Sequence, residues 1–161
     1  MWTRILQVVG SLVLLLIALL VAFMVSMRAK YPPVLTAVRR MNKATWNPRS
    51  MKTAGQPGAY ASVIRHVGRT SGAPYETPIG AVETEDGFVV ALPYGANPDW
   101  LKNVLKAGSA VLVHEGNTYQ VDHPEVVPAA VANTYFPPSD QRTHRVFGID
   151  DFLRLRRTES A

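Results

Sequence analysis

The chain has 161 residues, no cysteine and a formal net charge of +5. The lack of cysteine excludes disulfides, thiolate catalysis and thiolate-bound zinc or iron–sulfur centres. The excess of lysine and arginine lies early in the chain without interleaved stacking aromatics. That pattern speaks for a membrane surface and against nucleic acid as the partner.

Ile5 to Met27 carries no charged side chain, and only Gln7, Ser11 and Ser26 are polar. At ~1.5 Å per residue this stretch makes a helix of roughly 34 Å, enough to cross a hydrocarbon core of about 30 Å. A single helix satisfies its own backbone in lipid. A cleavable signal peptide is the rival, but its apolar region runs about 7–15 residues and ends in a small-x-small site. Here the run is longer and ends at Ser26-Met27-Arg28. Arg4 precedes it, whereas Arg28, Lys30, Arg39, Arg40, Lys43, Arg49 and Lys52 follow it before the first acidic residue, Glu76. The positive-inside rule then predicts a single-pass cell-membrane protein whose C-terminal domain is cytoplasmic. The expected organisation is an anchor over residues 1–30, a basic juxtamembrane helix and linker over 31–59, and one cofactor-binding domain over 60–161.

Pro32 and Pro33 break the first helix. Val34, Leu35, Val38 and Met41 then recur at helical spacing, with Arg39, Arg40 and Lys43 on other faces. This predicts a basic amphipathic helix, lying on the membrane or packed on the domain. Asn47 to Ala59, with Pro48, Gly55, Pro57 and Gly58, predicts a loop. Ala61 to Val67 predicts a strand and Gly68 to Pro74 a turn. Thr77 to Thr84 and Phe88 to Leu92 flank Glu85-Asp86-Gly87 as a hairpin. Asn97 suits an N-cap, Pro98 the first helical position and Asp99 the helix dipole, for a helix from Asp99 to Ala107 closed by Gly108. Ala110 to His114 and Thr118 to Asp122 predict a second hairpin across Glu115-Gly116-Asn117. Pro124 to Tyr135 is expected to begin as helix, with Pro137-Pro138 ending it, and Phe152 to Arg156 as a closing strand. Hairpins with one inserted helix predict a mainly β, α+β domain built as an antiparallel barrel. Neither a Walker-A run nor a Rossmann glycine fingerprint is present.

Two segments are candidates for chemistry. Gly68-Arg69-Thr70-Ser71-Gly72-Ala73-Pro74 is a turn whose backbone N–H groups, hydroxyls and arginine suit a phosphate. Ala91 to Trp100, followed by Asn103, is a loop leading into a helix N-terminus, which suits an anion. The plainer reading is a strand connection and a core tryptophan.

Taken in order, these segments resemble the deazaflavin (F420)-dependent nitroreductase family. The resemblance rests on Gly68 to Pro74, Thr77-Pro78-Ile79, Asp86-Gly87, Ala91 to Gly95, and Asn97-Pro98 through Trp100 to Asn103. It covers about residues 60–122 and implies a split β-barrel of the flavin-reductase-like superfamily. It further implies coenzyme F420, with Arg69, Thr70, Ser71 and Gly72 on its phosphate and acidic tail. Leu92, Pro93, Tyr94 and Gly95 would line the deazaflavin or its linker. Asn97, Trp100 and Asn103 would support the loop and helix end, and Pro78 belongs to the same cofactor-binding set. Tyr135 is the implied proton donor or lid residue, its plainer role being an amphipathic tyrosine at a helix end. Relatives often carry cations where this chain has Thr70, Tyr75 and Pro93; Arg65 and Lys102 are the expected substitutes.

The expected function is a membrane-anchored reductase passing a hydride from reduced F420 to a lipophilic acceptor, such as a quinone or an unsaturated lipid. The alternatives are a non-catalytic accessory subunit of a membrane complex and a barrel using FMN or haem. Membrane lipid, a lipophilic substrate, and a homodimer or membrane-complex partner are the expected associations. His66, His114, His123 and His144 show no metal-ligand spacing, so no metal site is expected.

Overall fold

The computed structural model describes residues 2–158. Its first helix, α1 (Trp2–Arg28), is apolar along almost its whole length. None of its most apolar 18-residue stretch is buried against the rest of the protein. By length and composition α1 is a candidate membrane span. Helix α2 (Pro32–Met41) starts with both prolines in its first turn, where their missing N–H groups cost nothing. It continues through a π-helical turn (Asn42–Trp46) into α3 (Asn47–Ser50). The segment expected as a loop from Asn47 therefore begins as helix, because Pro48 occupies another first turn. Leu35 is buried, and α2 packs against the end of α1 and the π-helical turn.

Seven strands among the described residues form one antiparallel sheet: β1 (Ser62–Val67), β2 (Pro74–Ile79), β3 (Ala81–Glu83), β4 (Gly87–Ala91), β5 (Ser109–His114), β6 (Asn117–Pro128) and β7 (Asp151–Arg157). Their spatial order is β2-β1-β5-β6-β7-β4-β3. The outer strands β2 and β3 are separated in sequence by Gly80 alone. The two ends of the sheet must therefore meet at that corner, which curls it into a half-barrel. The single strand expected from Thr77 to Thr84 is thus two, one on each edge.

Alternation along the strands builds the core. Phe88 and Val90 of β4, and Leu153 and Leu155 of β7, face inward with Ile64, Leu112 and Val121. Val89 and Phe152 face the other side, where Val127, Ala132 and Phe136 cover them. Helix α4 (Asp99–Ala107) spans the residues expected and ends in Gly108, whose φ is +73°. Its Leu101, Asn103 and Val104 are buried, and it packs on β1, β5 and β6. Pro98, rather than Asn97, is its N-cap, and Asp99 is its first residue.

The region after β5 departs most from expectation. Residues from Pro124 to Pro128 extend β6 instead of starting a helix, beyond a register shift between Asp122 and Glu125. His123 turns that corner with φ +46°. Helix α5 (Ala129–Ala132) and a 3-10 turn (Asn133–Tyr135) are short. Pro137-Pro138 opens helix α6 (Pro138–Phe147) rather than ending one.

The end of α1 docks on this domain. The Arg28 guanidinium donates to the carbonyl oxygens of Arg145 and Val146 at the C-terminus of α6, where a cation meets the negative end of the helix dipole. Two residues on, Lys30 Nζ donates to the Pro93 carbonyl at 3.4 Å.

Candidate active site

A cleft of about 950 Å³ lies between the α2–α3 segment, the β1–β2 end of the sheet and the N-terminus of α4. That is near the upper end of the range for small-molecule sites, about 300–1,000 Å³. One wall is the turn joining β1 and β2. Its backbone closes through Gly68 N–H to Ala73 O at 2.8 Å and Gly72 N–H to Gly68 O at 2.9 Å. A Cβ on Gly68 would lie 2.5 Å from Ser71 Oγ and 2.7 Å from Tyr75 Cε2. Glycine there lets the turn fold flat against Tyr75.

Asp99 and Asn103 stand one helical turn apart on α4, so both face this turn. Arg69 Nη2 donates to Asp99 Oδ1 at 2.8 Å and Nη1 to Asn103 Oδ1 at 2.9 Å. The Arg69 backbone N–H also donates to Asn103 Oδ1, at 3.1 Å. The hydrogen bond from Arg69 holds the Asp99 carboxyl below its ordinary range. Arg69 is therefore a strut between turn and helix, already neutralised by a carboxylate.

A buried chain of polar groups continues behind it. Asn103 Oδ1 accepts from Arg69, so its amide NH2 faces His66 Nδ1 at 3.2 Å. Nδ1 must then be the bare acceptor, which puts the proton on Nε2. Nε2 in turn donates to Thr77 Oγ1 at 3.2 Å. Burial lowers the His66 pKa, consistent with a neutral ring. Tyr75, opposite His66 on β2, stacks on that ring at 5.8 Å between centroids.

The opposite wall is cationic. Arg39, Arg40 and Lys43 line the cleft from α2 and the π-helical turn. Among the described residues none of the three forms an ion pair, although Arg39 donates to Thr36 Oγ1. The lining carboxylates are already engaged, Asp99 by Arg69 and Glu76 by Arg65. Asn42 Nδ2 donates to the Tyr94 hydroxyl and joins this wall to the loop after β4. Burial raises the Tyr94 pKa against the smaller opposing effects of Asn42 and Arg39, so the phenol stays protonated.

The fold brings Arg69, Thr70, Ser71, Pro78, Tyr94, Asn97, Trp100 and Asn103 to this one cleft. Trp100 also packs on the core. Gly72 sits at the exposed tip of the turn with φ +66°. Leu92 is buried in the core, Pro93 receives Lys30, and Gly95 closes the loop through its N–H to Leu92 O at 2.9 Å. None of these four lines the cleft. Tyr135 lies half exposed in the 3-10 turn, also outside the lining. Arg65 and Lys102 do not line it either. Sequence reasoning missed the link between His66 and Thr77, which runs diagonally between strands. It also missed the place of Arg39, Arg40 and Lys43 in the cleft, although their basic stripe was visible.

Three comparisons bear on this geometry. The sequence model of the F420H2-dependent quinone reductase family matches residues 38–138. No curated protein matches the chain. A solved structure named F420 Reductase aligns with a TM-score of 0.46 at 11% identity, covering 66% of this chain and 91% of its own. Another aligns with a TM-score of 0.38 at 15% identity, covering 66% of this chain and 76% of its own. At those scores the structural likenesses carry no weight. The family match does: it spans more than half of the chain and takes in both walls of the cleft, so the chain belongs to the F420H2-dependent quinone reductase family.

Proposed function

We propose that the protein is a membrane-anchored reductase that holds F420 in the cleft and reduces a lipophilic, quinone-type acceptor arriving from the bilayer. The observation that carries this reading is the docking of the apolar helix beside the site. Lys30, two residues past the end of α1, bonds to Pro93, and the adjoining Tyr94 lines the cleft. Met41 and Trp46 are also more than half exposed on the helical wall, and tryptophan favours the membrane interface. The basic run after α1 supports a cytoplasmic face for the domain.

The residues present fit a polyanionic cofactor: a long cleft, a glycine turn with hydroxyls, and three cations without carboxylate partners. Bound F420 supplies a hydride from its reduced deazaflavin ring. Ser71 and the turn backbone offer hydrogen bonds to it, Trp100 and Tyr94 offer apolar walls, and the helical segment limits access of water. The family match gives FMN and haem no support.

The test is turnover in lipid nanodiscs. Reduced F420 should be oxidised faster with a long-chain quinone in the bilayer than with a water-soluble short-chain analogue at matched concentration. Equal rates for the two acceptors would remove the reason for the anchor and refute the proposal.

A further inference from the structure

Reading the cleft as an F420 site leaves open which groups hold the cofactor's anionic tail, a phosphodiester followed by glutamate carboxylates. Arg69 is the arginine of the sequence motif, but its guanidinium is committed to Asp99 and Asn103, at 2.8 and 2.9 Å. Its charge is cancelled by the Asp99 carboxylate, and Arg65 does the same for Glu76. The net positive charge of the cleft therefore comes from Arg39, Arg40 and Lys43 on the opposite wall. Two of them are felt weakly across the space: Lys43 adds to the larger effect of Arg69 in lowering the Asp99 pKa, and Arg39 slightly opposes the rise that burial gives Tyr94. The Asn42–Tyr94 hydrogen bond, between Arg40 and Lys43 in sequence, fixes this segment over the site.

We infer that Arg39, Arg40 and Lys43, on the helix that follows the candidate membrane span, are the ligands of the cofactor's anionic tail. Arg69 is a positioning residue that holds the turn and does not itself read the charge. The juxtamembrane helix thus replaces, from the other side, the cations missing at Thr70, Tyr75 and Pro93. It couples the anchor to cofactor selection.

Binding of oxidised F420 and of the deazaflavin riboside lacking the phosphate and glutamates is measured by fluorescence, on the full chain in a neutral detergent. Arg39→Gln, Arg40→Gln and Lys43→Gln should each weaken F420 on the order of threefold to tenfold, leaving riboside affinity unchanged. Arg69→Ala should weaken both ligands by the same factor. On the unmodified protein, F420 affinity should fall with added salt while riboside affinity stays flat; this arm does not depend on any variant folding. Unchanged F420 affinity in a variant carrying all three substitutions, equal loss of both ligands in it, or a flat salt response for F420 would overturn the assignment. If F420 binds tightly but none of these effects appears, only the assignment falls. If the unmodified protein binds no F420, the cofactor reading falls with it.

Discussion

Asn103 is the joint between the turn and the buried histidine, so Asn103→Ala is the sharpest perturbation of the site. Its carboxamide makes three hydrogen bonds: two accepted from Arg69 at 3.1 and 2.9 Å, and one donated to His66 at 3.2 Å. Each is worth about 1 kcal/mol net, and a buried acceptor left bare costs about 1–3 kcal/mol. Arg69 keeps Asp99 and is partly exposed to water, so its losses fall at the low end. His66 Nδ1 has no such relief, because the residue is 7% exposed. The expected loss is about 3 kcal/mol, or a fall in Tm of about 10 °C for a domain of this size. Thermal melts in detergent, followed by the fluorescence of neighbouring Trp100, measure it. Asn103→Asp discriminates further. A carboxylate still accepts from Arg69 but cannot donate to a bare Nδ1. The neutral ring can restore a bond by moving its proton to Nδ1, with Thr77 Oγ1 then donating to Nε2; protonation beside the new carboxylate restores more, so the variant raises the folded-state pKa of His66. The restored stability is present below about 6.5, the ordinary histidine value, and is lost as pH rises through the raised pKa. An Asn103→Asp variant that gains no stability relative to the parent as pH falls from about 8 to about 6 would show that residue 103 does not hold His66. So would a loss below about 1 kcal/mol in Asn103→Ala.

In the unaltered protein His66 and His144 both have pKa values lowered by burial. The unfolded chain then binds protons that the folded one refuses. Stability is fully present above about pH 6.5 and declines between there and the lowered folded values, visible as a lower Tm at pH 5.5 than at pH 7.5. Gly87→Ala places a Cβ 2.0 Å from the Leu155 carbonyl oxygen and 2.9 Å from Arg156 Cα. Backbone on both sides cannot yield, so β4 should part from β7; the expected cost of 3 kcal/mol or more, about the scale of severe core lesions, is read by urea denaturation. Tyr94→Phe removes the partner of Asn42 at a cost of about 1 kcal/mol. It should loosen the helical wall, seen as faster tryptic cleavage after Arg39, Arg40 and Lys43 without a matching loss of global stability.

Much of the sheet was legible because its signals are local. Asp86-Gly87 and Gly116-Asn117 announce their hairpins, and the Asp99–Ala107 helix declares both ends through Pro98 and Gly108. The errors share a cause. Pro124, Pro128 and Pro138 were read as helix content or helix stops, yet one sits beside a bulge, one at a strand end and one in a first helical turn. Local composition cannot tell these apart, because each role follows from what the neighbouring strand does. The site divides in the same way. The turn and the head of α4 were found as motif. The cationic wall was seen as charge but assigned to topology, because only the tertiary fold lays α2 over the turn. The motif shows Arg69 at the cleft but not its two partners, 30 and 34 residues away, which only the fold brings to it.

The strand order also dictates a schedule. β7 lies between β6 and β4 in the sheet, yet follows every other described strand in the chain. A nascent chain therefore carries two unjoined pieces, β2-β1-β5-β6 and the β3–β4 hairpin, until residues 151–157 emerge from the ribosome. α6, which receives Arg28, is made just before them. The first helix is made long before its resting place on the domain exists. The exposed edges of β6 and β4 are hazards for pairing with other chains during that interval. Closure of the sheet thus comes last, so a ribosome stalled before Asp151 would leave a chain whose sheet is in two parts.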